Sequence, residues 1–423
     1  MEKLIIEGGA QLSGEVKISG AKNSALPILA STILAPGKHR FENVPYLRDI
    51  LTMCQLLVEL GAKIDLSQLE QENVLEVDTS SINNIRAPYE LVKTMRASIL
   101  VLGPLYARFN RAEVSFPGGC AIGARPVDLH LKGLELLGAE VKVEHGYIYA
   151  EKKKAQGQEV HFDFPTVTGT ENVMMAGALT PGKTVLFNTA QEPEVVDLAN
   201  YLNQMGAKIT GQGTERIEII GVETLTPGQY RIMPDRIEAG TYMVAGAITE
   251  GDLFLKEAKA EHLEAVIAKI QEAGVKIERK KDGIRVLRQD RLKGVDIRTQ
   301  PYPGFPTDMQ AQIMALLCLA EGSLSMITET IFENRFLHAL ELQRMGANIK
   351  LEGHSALITG VKKLTGAKVM ATDLRASASL VLAGLSAEGI TEVSRIYHLD
   401  RGYEKMDEKL QKMGAKIKRV KEK

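Results

Sequence analysis

Apolar and polar positions along the 423-residue chain follow two registers that recur together. In the first, an amphipathic stretch with apolar residues three and four apart ends on glycine and gives way to an alternating stretch. It occurs six times: LVELGAKI at Gly61, LELLGAEV at Gly138, LNQMGAKI at Gly206, IQEAGVKI at Gly274, LQRMGANI at Gly346 and LQKMGAKI at Gly414. The pattern predicts the end of an amphipathic helix, a glycine C-cap, then a strand. In the second register, an apolar stretch such as SALPILASTIL, NVMMAGAL, MQAQIMALLCLA or ASASLVLAGL has no polar face. A helix apolar all round is buried on all sides. Short turns follow such stretches at Gly37, Gly182, Gly251, Gly322 and Gly389. The C-cap glycines lie 68 to 77 residues apart, longer than the usual solenoid unit. The expected repeat is strand, amphipathic helix, strand and buried helix. Six of them predict an α/β fold of two domains with three repeats each, outer sheets and helices packed around inner helices. A break near residues 225 to 235, in TLTPGQYRIMPDR, halves the count.

The second copy departs from this rule. Its short turn is expected near residue 114, but the sequence there runs into EVSFPGGCAIGARPVD. The stretch FPGGCAIGARPVDLH, residues 116 to 130, therefore reads as an insertion in a regular scaffold, and such insertions tend to carry function. It sets Cys120 after two glycines, with Arg125, Pro126, Asp128 and His130 following.

The starts of the inner helices are unusually polar. The first carries Lys22 and Asn23, the second Arg96. In the third, Thr168 and Glu171 fit a capping box; in the fifth, Thr307 and Gln310 fit another, with Asp308 in the first turn. The sixth begins with Asp373 and Arg375. Charge along a buried helix is costly, whereas a helix start that opens on a cleft tolerates it and attracts anions. Lysine and arginine at such starts point to a highly anionic ligand. The alternative is that Arg96, Arg375 and Asp373 pair with one another.

Composition narrows the partners. Net charge is −1 with 25% charged residues, which leaves no basic field for nucleic acid and no polybasic membrane patch. The N-terminal stretch has no apolar core of signal-peptide length, and no apolar run is long enough to span a bilayer. Three cysteines make no disulfide framework in so long a chain, so a reducing, cytoplasmic setting is expected. Cys54 and Cys318 lie in apolar helical patterns and read as small buried hydrophobes. There is no GxxxxGK[ST] loop and no HExxH, and the eight histidines are scattered singly, so no zinc site is expected.

Six motifs in order span essentially the whole chain: GAKNSALP, FPGGCAIGARPVDLHLKGLELLGA, YPGFPTDMQAQ, TETIFENRF, DLRASASLVLAG and RIYHLDRGYE. Together they resemble the enolpyruvyl transferases that act on UDP-N-acetylglucosamine. The resemblance implies a two-domain inside-out α/β barrel of six βαβαββ units. One domain would join residues 1–21 to 233–423, the other would be 22–232, and the active site would lie in the cleft between them. It implies transfer of the enolpyruvyl group of phosphoenolpyruvate to the sugar 3′-hydroxyl, the first committed step of peptidoglycan synthesis, with no organic cofactor and no catalytic metal.

By the same resemblance, Cys120 is the proton donor and the target of the epoxide fosfomycin, and Asp308 is the candidate base. Lys22, Asn23, Cys120, Arg125, Arg335, Arg375 and Arg401 would hold phosphoenolpyruvate, with Asp373 a further contributor. Asn23, Arg96, Arg125, Pro126, Val127, Asp128, Leu129, Thr166, Val167, Thr168, Asp308 and the backbone near Ile331 would hold the UDP-sugar. One stretch departs from the family form: it reads FPTVTGTEN where something nearer SVGAT is expected. Two other readings stand beside this one. An enolpyruvyl transferase for another acceptor, such as shikimate 3-phosphate, is opposed by the cysteine loop and ARPVDLH. A UDP-sugar-binding paralogue without turnover is opposed by the presence of Lys22, Cys120, Arg125, Asp308 and Arg401. No regulatory protein or protease adaptor is legible in the chain.

Overall fold

In the computed structural model, which describes residues 2–117 and 127–422, the glycines that close the amphipathic stretches all have positive φ. The values run from 90° at Gly346 to 106° at Gly61. Glycine reaches that left-handed region without a Cβ penalty, so each helix can stop and the chain can turn into a strand.

Twelve helices of seven or more residues alternate between two kinds among the described residues. In the N-terminal half they are α1 (Lys22–Ser31), α2 (Arg48–Glu59), α3 (Leu102–Phe109), α4 (Asp128–Leu136), α5 (Val167–Ala178) and α6 (Pro193–Gln204). In the C-terminal half they are α7 (Arg236–Ile248), α8 (Glu264–Glu272), α9 (Gln310–Leu317), α10 (Leu337–Arg344), α11 (Leu374–Ser386) and α12 (Met406–Lys412). The odd-numbered helices are the apolar ones. Every residue of α7 and α9 is buried, and in α11 all but the first and the last are. The even-numbered helices bury one face only, as in α8, where Val266, Ile267 and Ile270 face inward.

Between helices the described residues form six four-stranded sheets. In one, Lys38–Glu42 pairs in parallel with Gln229–Arg231 and antiparallel with Leu75–Asp78, which in turn pairs with Lys63–Asp65. Its alternating pattern turns His39 and Phe41 inward. The other sheets repeat this plan of one parallel and two antiparallel pairings.

The single strand expected after each glycine is therefore an antiparallel pair in the first five copies, with a further short strand at the sheet edge; after Gly414 a single strand, Lys416–Lys421, pairs with Glu2–Glu7 from the other end of the chain. In the second copy the hairpin is legible in retrospect. Ala139–Glu144 and Tyr147–Lys152 are joined by His145 and Gly146, both at positive φ, which is the two-residue turn that suits the strand twist. The short turn expected to be missing from that copy is present. Asn110, at φ 61°, takes the left-handed position that glycine holds in most copies, and Arg111–Ser115 follows as a strand. Asparagine tolerates this conformation better than most residues.

The chain divides into two compact units. Among the described residues, one is built from the segment up to Ser19 and from Pro234 onward, the other from the residues between Gly20 and Met233. Each has its own core. Met243, Leu316 and Leu380 from α7, α9 and α11 meet in the first; Leu29, Leu105 and Met174 from α1, α3 and α5 meet in the second. Burying one such side chain contributes about 1.5–3 kcal/mol. Cys54 and Cys318 are buried in these cores, and burial pushes both thiols up to about 12. Among the described residues no helix is long and apolar enough to cross a membrane.

Candidate functional site

In the unit that contains α7, α9 and α11, the polar residues converge on one carboxylate. A single 3-10 turn, Thr307–Met309, leads from Pro306 into α9 and presents Asp308. Oδ1 of Asp308 accepts from Arg335 Nη2 at 2.7 Å. Oδ2 accepts from Arg375 Nη2 at 2.8 Å and Nε at 3.1 Å. The arginines are buried, at 6% and 3% side-chain exposure, while Asp308 keeps 26% and so stays open on one side. Burial alone would raise the Asp308 carboxyl. The charges of Arg375 and Arg335 outweigh it and hold the group well below the usual carboxylate range. Arg375 Nη1 is buried without a hydrogen-bond partner among the described residues.

A second carboxylate organises the surroundings. Glu329 Oε2 accepts from Thr307 Oγ1 at 2.8 Å, and Arg335 Nη1 donates to that same hydroxyl at 2.8 Å. Glu329 Oε1 accepts from Thr299 Oγ1 and from the N–H groups of Ile331 and Phe332. Thr307 is thus a link between Glu329 and Arg335 and not part of a capping box. The Ile331 N–H is engaged by Glu329, and its side chain is 38% exposed. Asp373 caps α11, its Oδ1 accepting from the N–H groups of Arg375 and Ala376 at 2.8 and 3.0 Å. The expected alternative of Arg375 pairing with Asp373 is replaced by its pairing with Asp308. Burial lowers the nearby His338 imidazole to about 4, against the attraction of Asp373 and with the repulsion of Arg335. Arg401 ends the 3-10 turn Ile396–Arg401, partly buried; after burial itself, its charge helps lower His398.

In the other unit the charges are spread across several helix starts. Lys22 is the first residue of α1 and is 8% exposed, its Nζ 3.4 Å from Asp49 Oδ2 in the first turn of α2. Asn23 follows it, partly buried. Arg96 opens the 3-10 turn Arg96–Val101 that runs into α3. Asp128 is the exposed first residue of α4, whereas Val127 and Leu129 beside it are buried in the core.

Helix α5 begins two residues earlier than the capping-box reading places it. Thr166 is the N-cap, its hydroxyl accepting from Gly169 N–H at 3.3 Å. Val167 and Thr168 lie in the first turn, partly exposed. Glu171 does not cap. It is 1% exposed, Oε1 has no hydrogen-bond partner among the described residues, and burial, then the charges of Glu194 and Glu192, raise its carboxyl well above the ordinary range.

Cys120, Arg125 and Pro126 lie outside the described residues. Glu329 lies inside the TETIFENRF motif, whose residue types point to Ile331 and Arg335 but not to Glu329. Asp49 and His338 carried no signal beyond an acid in a first helical turn and a lone histidine in an amphipathic stretch. Among the described residues no group of three or more histidines, cysteines or acids could hold a metal ion. What the Asp308 cluster can do is hold an anion on two guanidiniums and accept a proton beside it.

Three comparisons bear on this arrangement. Residues 6–418 match the family model described as EPSP synthase (3-phosphoshikimate 1-carboxyvinyltransferase). The chain is 58% identical over 422 residues to the UDP-N-acetylglucosamine 1-carboxyvinyltransferase of Geotalea uraniireducens, covering 100% of each. It is equally 58% identical, over 423 residues and 100% of each, to the protein of that name from Trichlorobacter lovleyi. Among solved structures it resembles the enolpyruvyl transferase NikO from Streptomyces tendae, with a TM-score of 0.89 at 25% identity, covering 100% of this chain and 99% of that one. The EPSP synthase of Acinetobacter baumannii, at 17% identity and a TM-score of 0.77 over 100% of both chains, shares the fold.

Proposed function

The chain belongs to the EPSP synthase family, in its UDP-N-acetylglucosamine 1-carboxyvinyltransferase branch, and from that premise we propose that it transfers the enolpyruvyl group of phosphoenolpyruvate to the 3′-hydroxyl of UDP-N-acetylglucosamine. The product feeds peptidoglycan synthesis. The observation that carries the reading is Asp308 held between Arg335 and Arg375, with one buried guanidinium nitrogen that has no hydrogen-bond partner among the described residues.

Addition places a proton on the methylene carbon of phosphoenolpyruvate and forms a bond from the sugar oxygen to its neighbour. Asp308 takes the hydroxyl proton; Cys120, by family resemblance, supplies the other. Elimination removes a proton from the new methyl group, restores the double bond and breaks the bond to phosphate, which leaves. Phosphate and carboxylate are present together throughout, so cations must hold both. Lys22, Arg125, Arg335, Arg375 and Arg401 take that part, with Asn23 and Asp373 beside them. Asn23, Arg96, Asp308, residues 125–129, Thr166, Val167, Thr168 and the backbone at Ile331 receive the UDP-sugar.

The ion pairs explain how Asp308 becomes a base. With Arg375 and Arg335 on it, the carboxylate has little affinity for a proton. A substrate anion that competes for the guanidiniums removes that stabilisation and raises its basicity, so base strength arrives with the substrate.

The test is phosphate release from phosphoenolpyruvate, with and without UDP-N-acetylglucosamine, before and after fosfomycin. Release that requires the UDP-sugar and stops with the epoxide is expected. Release that survives the epoxide removes the role of Cys120. UDP-sugar binding without release supports the non-catalytic paralogue, and release with shikimate 3-phosphate instead would reassign the acceptor.

A further inference from the structure

The start of α5 holds a chain of hydrogen bonds whose direction is fixed from its buried end. Asn172, on α5, is fully buried. Its Oδ1 accepts from the backbone N–H of Gly103 at 2.5 Å. Its Nδ2 donates to the carbonyl of Ile99 at 2.9 Å. An N–H can only donate and a carbonyl can only accept, so the amide has one orientation. The contact also needs glycine: a Cβ on residue 103 would lie 2.4 Å from Asn172 Oδ1 and 2.3 Å from its carbonyl oxygen.

The second hydrogen on Asn172 Nδ2 faces Nδ1 of His130 at 3.0 Å. That ring nitrogen must therefore accept, and the imidazole carries its proton on Nε2. A doubly protonated ring would set two donors against each other. Nε2 lies 3.2 Å from Thr168 Oγ1, to which it donates. The Thr168 oxygen uses one lone pair in this bond and keeps its own hydrogen for a partner on the open side, where the residue is partly exposed. A free threonine hydroxyl could donate or accept. Here the imidazole takes no proton from it, so the hydroxyl hydrogen is left for an acceptor beyond His130.

We propose that His130 and Asn172 are positioning residues for nucleotide recognition, fixing the Thr168 hydroxyl as a hydrogen-bond donor to an oxygen of the uridine diphosphate moiety. The proposal rests on the UDP-sugar reading above and adds a direction to it: at this point the protein offers a hydrogen to an acceptor atom, a base carbonyl or a phosphate oxygen.

Titration calorimetry with UDP tests it on the whole chain. Thr168→Val removes the donor with little change of shape and should weaken UDP about tenfold. Thr168→Ser should bind within about twofold of the parent. His130→Gln, whose amide nitrogen can stand where Nε2 stands, should retain most of the affinity. His130→Leu should match Thr168→Val, and the double variant should be no weaker than either single, because all three break one chain. In turnover, Thr168→Val should raise KM for the UDP-sugar about tenfold with kcat changed less than about twofold.

CDP identifies the atom. If the preference for UDP over CDP collapses in Thr168→Val, the partner is the uracil O4 carbonyl; equal weakening of both nucleotides makes it an acceptor they share, the O2 carbonyl or a phosphate oxygen. Long-range ¹⁵N–¹H correlation on labelled histidine should show His130 protonated at Nε2 and bare at Nδ1. UDP binding by Thr168→Val equal to the parent overturns the inference, as does the opposite tautomer or additive losses in the double variant. Because Thr168 is at the surface of its helix, its two variants decide the matter even if His130→Leu fails to fold. No UDP binding by the parent chain overturns the UDP-sugar reading itself.

Discussion

At the starts of α9 and α11, two buried guanidiniums meet the carboxylate of Asp308, and Asp373 caps the second helix. At the starts of α4 and α5, His130, Thr168 and Asn172 form a chain with no net charge. Both arrangements put polar groups where apolar helices begin, but they differ in what a ligand can change. In the first, the counterion is a side chain of the protein, and an arriving anion can take its place on the arginines without exposing them unpaired. In the second, the bonds are oriented from a backbone N–H and a carbonyl that have no alternative role, so they do not reverse when a ligand arrives. The charged cluster is suited to an exchange during reaction, the neutral chain to recognition that stays the same throughout.

The largest expected effect tests the first half of that contrast. Asp308→Asn removes the counterion and the base together, so turnover should fall about a thousandfold. It also leaves Arg335 and Arg375 buried and unpaired, which should cost about 3 kcal/mol in urea unfolding. Millimolar phosphate should return part of that loss and do less for the parent chain. Equal stabilisation of both by phosphate would break the idea that Asp308 and an anion share one place.

A smaller effect separates the carboxyls by pH. Asp308 is lowered, so its contribution to stability is present above about 3.8 and lost as pH falls toward its own lower value. Glu171 is raised: the unfolded chain ionises first, the folded chain keeps the extra proton, and stability falls as pH rises above about 4.5. Glu171→Gln should flatten that loss and gain about 1 kcal/mol at pH 8, measured by unfolding at several pH values. Glu238 on α7 is likewise raised, burial outweighing Lys409, so the single-site variant, and not the profile of a whole unit, carries the test. A parallel pH slope in Glu171→Gln and the parent would remove Glu171 from the account.

The smallest effect asks where the two units are alike. Each core holds one buried thiol, Cys54 or Cys318, pushed up to about 12. Neither should react with N-ethylmaleimide at pH 7.5 in the folded protein, and mass spectrometry should find any label on Cys120 alone. Label on Cys54 without unfolding would mean that its core opens more readily than the other.

The repeat was legible because it is written in periodicity. A helix apolar all round, a helix apolar on one face and a glycine after it have few structural meanings, and all six glycines take the left-handed backbone those meanings require. The hairpins were less legible. Their strands are three to six residues long, and the alternating pattern is too short to divide one strand from two. The missing turn of the second copy was misread because Asn110 does the work of glycine there. At the site, residue types in quoted motifs marked Asp308, Arg375 and Lys22. The cap of α5 was placed wrongly because two threonines compete for it, and the His130 neighbour of Thr168 settles which one is left over.

By itself, then, the sequence determined which segments become helices, which of those are buried, and which polar residues stand at their starts, since these follow from local period and from the cost of burying charge. Only the tertiary structure decided partners. That Arg375 pairs with Asp308 across 67 positions of sequence, or that Asn172 meets His130 and Gly103, depends on how helices distant in the chain pack together. Hydrogen bonds act over about 3 Å, and no local pattern specifies which distant residue will arrive at that distance.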